Sequence, residues 1–488
     1  MRYTYFLLIL LSLGLLIYLS SCDKTSYATD PDDKLLFSVD TLQFDTIFSS
    51  IGSTTKYFQV YNPSNTKAII IDKVYLAKQN QSNYRINING NQAILQEDIT
   101  IPPGDSIFVF VEVTIDPGRN EMIEHDSIIF ITNNNIQDID LVAFGQDVVL
   151  INGNIIYSDT IWTNTKPVLI YNSALVDTFA SLTIESGTNV YFHKGSSLFV
   201  KGTLTVNGTT DQPVSFLGDR LESSYSEIPG QWGAFNTDEN NNVKGIFGGI
   251  HLLAGSRYNQ IDNAIIKNGI IGLQVDSVVT PGTPSLVISN TTIENMNVAC
   301  LYALGAHVEA HNCVFANAGQ YTLACVIGGK YSFIHCTMAN YWTGNRQSPQ
   351  LILNNYYTYS GNSGQSMLEL RDLTQAYFGN CIIYGNKELE LGLDLVTEAE
   401  TNFFFDHCII KSNNEINTDN PQFFNQIVLN QNPKFINISS PYDYHLDTLS
   451  PAKDAGDALI SSPFPLDKDG QSRLTDNNPD LGAYERIE

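Results

Sequence analysis

The chain has 488 residues, of which 43% are hydrophobic, so it is long enough for two or three domains with a large core. Its 51 acidic residues outnumber its 26 basic ones and give a formal net charge of −25. Nucleic acid is therefore not expected as a partner, because phosphate binding needs a basic surface. The same balance disfavours a polyanionic polysaccharide except at a local basic patch.

The first 22 residues have the composition of an export signal. Arg2 precedes an apolar stretch over residues 6–19, which is shorter than the roughly 20 residues of a membrane-spanning helix, the alternative interpretation. Residues 19–22, Leu-Ser-Ser-Cys, resemble a bacterial lipobox, which implies cleavage before Cys22 and lipid attachment to it. A diacylated cysteine is a stable anchor.

Residues 23–34 are polar and acidic and are predicted to form a flexible tether. An acidic tether after a lipidated cysteine resembles the surface-exposed lipoproteins of the Bacteroidota. The resemblance implies a location at the outer membrane, facing outward, with the lipid anchor as the contact with the membrane.

Residues 35–148 have the pattern of a β-sandwich, with apolar or alternating strands between turns rich in Asn, Pro and Gly. The predicted strands are KYFQVYN, AIIIDKVYLA, SIFVFVEVTI, DSIIFIT and DIDLVAFG. Their order resembles the immunoglobulin-like modules of the ASH/HYDIN type in bacterial surface proteins. This resemblance implies a spacer or scaffold.

Residues 149–448 contain six similar segments, each opened by Asn or His. The openers are Asn263, Asn290, Asn312, His335, Asn380 and His407. They are 27, 22, 23, 45 and 27 residues apart, and 45 is close to two coils of 22 or 23 residues. A period in this range indicates a solenoid whose core forms by stacking of neighbouring repeats.

Two apolar columns flank the openers and are predicted to point inward. The column two residues before each opener contains Ile261, Ile288, Ala310, Phe333, Phe378 and Phe405. The column three residues after each opener contains Ile266, Ile293, Phe315, Met338, Ile383 and Ile410. The two columns are five residues apart, so a straight strand would point them to opposite sides. Both can point inward only if the chain bends at the opener, where Asn tolerates an unusual φ and its amide can bond to the next coil.

Four of the six cysteines after Cys22 directly follow an opener. Ala264 and Thr291 occupy this position in the other two segments, so the position favours a small side chain. We expect a column of free thiols, although a Cys313–Cys336 disulfide is geometrically conceivable. No CxxC-type pair is present, so the sequence predicts neither a metal site nor a cofactor.

Two further segments carry a family resemblance. Residues 182–216 and Gln231-Trp232-Gly233 resemble the opening of bacterial right-handed parallel β-helices. Residues 449–488, with SPAKDAGDALI and PDLGAYE, resemble the terminal segment of β-helix proteins described as "choice-of-anchor Q". The chain is thus expected to be all-β. An Ig-like β-sandwich is followed by a pectin-lyase-like right-handed parallel β-helix and a C-terminal cap segment. In the terminal turn of this segment, Arg473 is predicted to pair with Asp480 or Glu485.

The best candidate groove lies on an outward column five residues before the openers. His307 and Lys330 are expected on adjacent coils of this column, with Glu309 nearby and Arg371 on a neighbouring strand. Surface strands also carry such charges without any function. Residues 307–311 are predicted to form a strand. In a strand His307 and His311 are too far apart for one metal ion to bind both.

An excursion over residues 339–367 carries a second set of candidate residues, Tyr341, Trp342 and Arg346, followed by Tyr356, Tyr357 and Tyr359. Exposed aromatic rings among polar side chains suit the faces of sugars. The alternative is a loop that packs its aromatic rings onto the wall of the solenoid.

The sequence favours binding of a glycan or a cell-surface protein without catalysis. A polysaccharide lyase or glycoside hydrolase working in the groove, and a purely structural stalk, are the alternatives. Asn236-Thr237-Asp238 matches only the first of the motifs that polygalacturonase-like hydrolases carry, and grouped carboxylates are missing. The catalytic residues of an enzyme are therefore not predicted.

Overall fold

The structure, a computed structural model, describes residues 26–49, 51–116, 123–237, 239, 243–277, 282–360, 365–413, 415–475 and 478–487. Cys22 and the expected export signal lie outside these residues. The chain divides into two compact units at Asp147 and Val148. Within the described residues helix is limited to short turns, namely Gln79–Gln81, Ser223–Tyr225 and Ala458–Ser461.

The first unit contains two five-stranded sheets. One consists of Leu36–Phe37, Lys56–Tyr61, Ser106–Val113, Tyr84–Ile88 and Asn91–Gln92, all antiparallel in this order. The other consists of Thr41–Phe48, Asn135–Gln146, Ile123–Thr132, Ile69–Leu76 and Leu95–Ile101, with its first pair parallel. Alternate side chains of both sheets, such as Phe58 and Phe130, meet in one core, as the alternation of apolar residues predicts.

The second unit is built from parallel strands in three stacks, which we call A, B and C. Stack A contains Thr160–Trp162, Ser181–Glu185, Thr203–Asn207, Asn259–Asp262, Leu286–Ser289, His307–His311, Gly329–Ile334, Leu373–Gly379, Thr401–Asp406 and Phe424–Asn425. Stack B contains Asn189–Phe192, Val214–Gly218, Ala264–Lys267, Thr292–Met296, Val314–Ala318, Thr337–Asn340, Ile382–Gly385, Ile409–Ile410 and Val428–Leu429. Stack C contains Leu198–Val200, Ile250–Leu252, Ile271–Val275, Ala299–Leu304, Tyr321–Val326, Leu351–Asn354 and Leu391–Asp394.

Two long strands, Val149–Ile156 and Val168–Val176, begin this unit and each spans stacks B and C. Each following coil of the chain contributes strands to the stacks in turn, and each strand pairs in parallel with its equivalent in the next coil. Three small antiparallel pairs project from or follow the stacks: Ala234–Thr237 with Val243–Phe247, Tyr356–Ser360 with Ser366–Leu370, and Phe435–Asn437 with Asp443–Leu446. Large parallel sheets with coil-by-coil pairing are consistent with a β-helix.

The bends predicted at the openers are confirmed. All six openers, which lie between stacks A and B, have φ between 49° and 53°, a left-handed conformation that Asn tolerates better than most residues. Both predicted apolar columns are buried in one continuous core. Their members lie directly over one another, for example Ile261 over Ile288 and Phe378 over Phe405.

The 45-residue interval between His335 and Asn380 is one coil, and the interpretation as two coils is wrong. Phe333 pairs directly with Phe378 in stack A, so no strand lies between them. The additional residues form the longer path through Leu351–Asn354 and the hairpin that follows it. Insertions of this kind preserve the stacking because they leave the coil at a corner.

The six cysteines of the second unit are buried and free. Cys313, Cys336, Cys381 and Cys408 follow their openers and point into the core, where the amide of Cys336 donates to the Cys381 sulfur at 3.4 Å. Burial raises the pKa of the Cys381 thiol well above its ordinary value. These thiols therefore act as small core side chains.

The C-terminal segment, residues 435–475 and 478–487, packs along the outward side of stack B. Its Phe435, Tyr444 and Leu481 share a cluster with Ile382 and Ile409 of that stack. The predicted Arg473 pair is confirmed, since its guanidinium is fully buried and lies 3.3 Å from the Glu485 carboxylate. Arg473 also donates to the opener Asn312 at 3.1 Å, which ties the segment to the corner between stacks A and B.

Candidate ligand groove

Outward side chains of stack A form two columns that follow the parallel pairing. One column places His307, Lys330 and Gln375 side by side. The second places Glu309, Ser332, Tyr377 and Phe404 in succession. The position of each side chain is therefore a direct consequence of the coil register.

These columns line two adjoining depressions of about 340 Å³ and 320 Å³, both bordered by Gln375. Together we call them the stack A groove. Its principal lining residues are His307, Glu309, Lys330, Ser332, Gln375, Tyr377, Asn402, Phe404, Gln422 and Phe464. Phe464 comes from the C-terminal segment and stacks on His311, with ring centroids 4.3 Å apart.

The first depression carries the charges of the groove. The His307 Nε2 lies 3.2 Å from the Glu309 carboxylate, and the imidazole is largely buried while the carboxylate is half exposed. Burial, together with the positive charge of Lys330, holds the pKa of His307 below its ordinary value. The imidazole is thus neutral at pH 7, and the exposed Lys330 ammonium remains as the positive charge at this end.

The second depression is aromatic. The Tyr377 and Phe404 rings are nearly parallel, with an interplanar angle of 9° and centroids 6.5 Å apart. Both rings are half-buried, so each presents one part of its surface to solvent. Among the described residues, the side-chain amides of Gln375 and Gln422 beside them have no hydrogen-bond partner. Apolar ring surface and open amide groups therefore lie together.

The structure brings together three of the predicted groove residues, His307, Glu309 and Lys330. Arg371 does not line the groove. It projects with the hairpin Tyr356–Ser360 and Ser366–Leu370, where its Nε donates to Glu369 at 2.8 Å. Its guanidinium is half exposed, so this pair contributes little to stability.

Tyr341, Trp342 and Arg346 do not line the stack A groove. The expectation that Arg346 contacts a ligand is corrected. Arg346 is fully buried in an ion pair with Glu390, which satisfies its charge inside the protein. Tyr341 packs edge-on against Phe435 of the C-terminal segment, 6.3 Å between centroids. Trp342 is half-buried, and its carbonyl accepts a hydrogen bond from Asn386. This part of the excursion packs on the protein itself.

The sequence reasoning missed the aromatic part of the groove, Tyr377 and Phe404. A signal for it was present: Phe378 and Phe405 were assigned inward, and the residue before an inward one in a strand points outward. An aromatic residue at this outward position in two consecutive coils predicts an exposed pair of rings.

The described residues also bear on two other features, a metal site and a membrane-spanning helix. No group of three or more His, Cys, Asp or Glu side chains there is arranged to hold a metal ion. Nor does the described part of the chain include a helix that is long and apolar enough to cross a membrane.

Comparison with known proteins gives little. No family model matches the chain, and no curated protein matches it. Solved structures that are similar over a part of the chain include the periplasmic chaperone SfaE, at 10% identity over 23% of this chain and 58% of that one, with a TM-score of 0.17. They also include a family 123 glycoside hydrolase from Clostridium perfringens, at 11% identity over 25% of this chain and 26% of that one, with a TM-score of 0.18. The chain thus spans less than two thirds of either protein.

Proposed function

We propose that this chain is a lipid-anchored protein of the bacterial outer membrane that binds a glycan, without cutting it, in the stack A groove. In this proposal the first unit is an Ig-like spacer after a tether at residues 23–34. The second unit is a right-handed parallel β-helix, closed by the segment 449–488. The observation that carries the binding function is the parallel ring pair of Tyr377 and Phe404. Beside it lie the side-chain amides of Gln375 and Gln422, which have no hydrogen-bond partner in the described part of the chain.

The chemistry of this arrangement suits a sugar chain. Aromatic faces pack against the C–H surfaces of sugar rings, and amides donate to and accept from their hydroxyl groups. The groove crosses five coils, from His307 to Gln422. At about 4.8 Å per coil this is roughly 19 Å, which fits an oligosaccharide better than a single sugar.

The arrangement of carboxylates argues against hydrolysis. A glycoside hydrolase needs two carboxyl groups across the scissile bond. Among the described residues that line the stack A groove, Glu309 supplies the carboxylate, and it is already paired with His307. Binding is therefore the function that this geometry supports best.

One observation favours a second candidate, a polysaccharide lyase. A neutral His307 beside the Lys330 ammonium provides a base next to a charge that could neutralise a uronate. The lyase predicts an unsaturated product that absorbs ultraviolet light, formed from a uronate polysaccharide and lost in His307→Gln. Binding without product supports our proposal.

The groove is tested with a glycan array and the variants Tyr377→Ala and Phe404→Ala. We expect each variant to weaken binding of the retained glycan roughly fivefold, since the loss of one stacked ring costs about 1 kcal/mol. Tyr258→Ala is the control, because this exposed tyrosine lies outside the groove and its loss should leave binding unchanged. Wild-type retention that both groove variants preserve would refute the site, and a silent array would favour the structural stalk.

The anchor is tested separately with Cys22→Ala. We expect the wild-type protein to incorporate labelled palmitate and to fractionate with the outer membrane, because two acyl chains hold a protein stably. The variant should lose the label and appear in the soluble fraction. A Cys22→Ala protein that stays labelled and membrane-bound would show that the lipobox interpretation is wrong.

A further inference from the structure

A pocket of about 570 Å³ lies between the outward side of stack B and the C-terminal segment, away from the stack A groove. Stack B contributes Thr292 and Glu294, and the C-terminal segment contributes Tyr442, Lys468 and Tyr484. The size of the pocket is ample for one sugar unit.

The carboxylates around this pocket already have partners. Asp443 and Asp469 hold the two nitrogens of His445 at 2.6 Å and 2.9 Å, and Glu294 lies 3.1 Å from the Lys267 ammonium. The Asp467 carboxylate accepts the backbone N–H groups of residues 469, 471 and 485. The two carboxylates that line the pocket, Glu294 and Asp443, therefore each already have an ion-pair partner.

Lys468 lines the pocket and has no ion-pair partner among the described residues. Among the described residues, no carboxylate lies within ion-pair distance of its ammonium, which is 5.8 Å from the centroid of the Tyr484 ring. Burial lowers the pKa of Lys468 although Asp469, Asp467 and Glu294 act in the opposite direction. An anion in the pocket would offset this cost of burying the charge.

Three hydroxyl groups of the pocket are also open. The side chains of Thr292, Tyr442 and Tyr484 make no hydrogen bond to any described residue, whereas the Tyr444 hydroxyl accepts from the Asn317 amide at 2.9 Å. Besides the paired Glu294, Asp443 and His445, the pocket thus offers the Lys468 ammonium, several hydroxyl groups and aromatic surface. A ligand that uses all three has a ring, hydroxyl groups and an anionic group.

We propose that this pocket binds a single carboxylated sugar, with the sugar carboxylate on Lys468 and the sugar hydroxyls on Thr292 and Tyr442. The site does not rest on the stack A groove, since it lies on another stack and uses other residues.

The test is titration of the full chain with D-galacturonate, D-galactose and acetate by isothermal calorimetry. We expect saturable binding of galacturonate, with galactose and acetate each at least tenfold weaker. Lys468→Met should weaken galacturonate binding at least tenfold and Tyr442→Phe several-fold, while Lys201→Met, an exposed lysine outside the pocket, should change nothing.

Tyr442→Phe removes one hydroxyl group and keeps the ring, so it tests the pocket even if Lys468→Met disturbs the fold. The proposal is overturned if galacturonate does not bind, if galactose binds equally well, or if Tyr442→Phe binds galacturonate like the wild type. Loss of array binding in Tyr377→Ala alone would concern the stack A groove and leave this result unaffected.

Discussion

Arg346→Met is expected to lower the free energy of unfolding of the second unit by about 3–5 kcal/mol, because it leaves the Glu390 carboxylate buried without its counter-ion. The two side chains are fully buried and joined by two hydrogen bonds, both of 2.7 Å. Arg346 also donates to the Asn386 side chain and to the Ser348 carbonyl, each at 2.9 Å. Urea unfolding followed by circular dichroism measures the change.

Two matched variants make this result specific. Arg371→Met removes an exposed arginine from its pair with Glu369 and should cost less than about 1 kcal/mol. The double variant Arg346→Met with Glu390→Leu removes both buried charges and should recover most of the lost stability. If Arg346→Met and Arg371→Met were equally stable, the buried pair would not have the role that its geometry indicates.

Phe378→Ala is expected to have an effect of similar size. Phe333, Phe378, Phe405 and Phe424 form a ladder of nearly parallel rings inside stack A, with successive centroids 5.2, 4.6 and 5.5 Å apart. Removing one ring leaves a cavity and breaks two ring contacts, which costs about 3–5 kcal/mol. Because each coil contacts only its neighbours, the loss should be felt in the adjacent coils.

The ladder is tested by urea unfolding and by hydrogen exchange of the strands Gly329–Ile334 and Thr401–Asp406 on either side. We expect a lower midpoint and faster exchange in both strands for Phe378→Ala. Phe179→Ala, which removes a ring that is 94% exposed, should stay within about 0.5 kcal/mol of the wild type. Wild-type exchange in both strands of Phe378→Ala would contradict the stacking.

The repeating part of the fold could be read from the sequence because equivalent residues lie over one another. Asn263, Asn290 and Asn312 recur at the same place in the coil, so their shared conformation follows from recurrence alone. The coil between His335 and Asn380 could not be read in this way. Its length matched two coils, and only the pairing of Phe333 with Phe378 shows that the extra residues leave the stack.

Contacts between residues that are distant in the sequence could not be predicted from the repeat pattern. Arg346 looked like an exposed loop residue because nothing in the spacing connects it with Glu390, 44 positions away. The sequence predicted a pair of Arg473 with Asp480 or Glu485, both near in sequence, and the pair with Glu485 is confirmed. The bond of Arg473 to Asn312 joins residues 161 positions apart and was not predicted. The column five residues before the openers predicts the charged part of the groove. The aromatic part follows from the sequence only when the residues before the inward Phe378 and Phe405 are recognised as outward.

Hydrogen exchange of the full chain with and without its best-retained glycan tests the central claim most directly. We predict slower exchange in the strands Leu373–Gly379 and Thr401–Asp406, and no such slowing in a protein that carries both Tyr377→Ala and Phe404→Ala. Protection confined to the first unit, or to strands of stack C, would contradict the assignment of the glycan site to stack A.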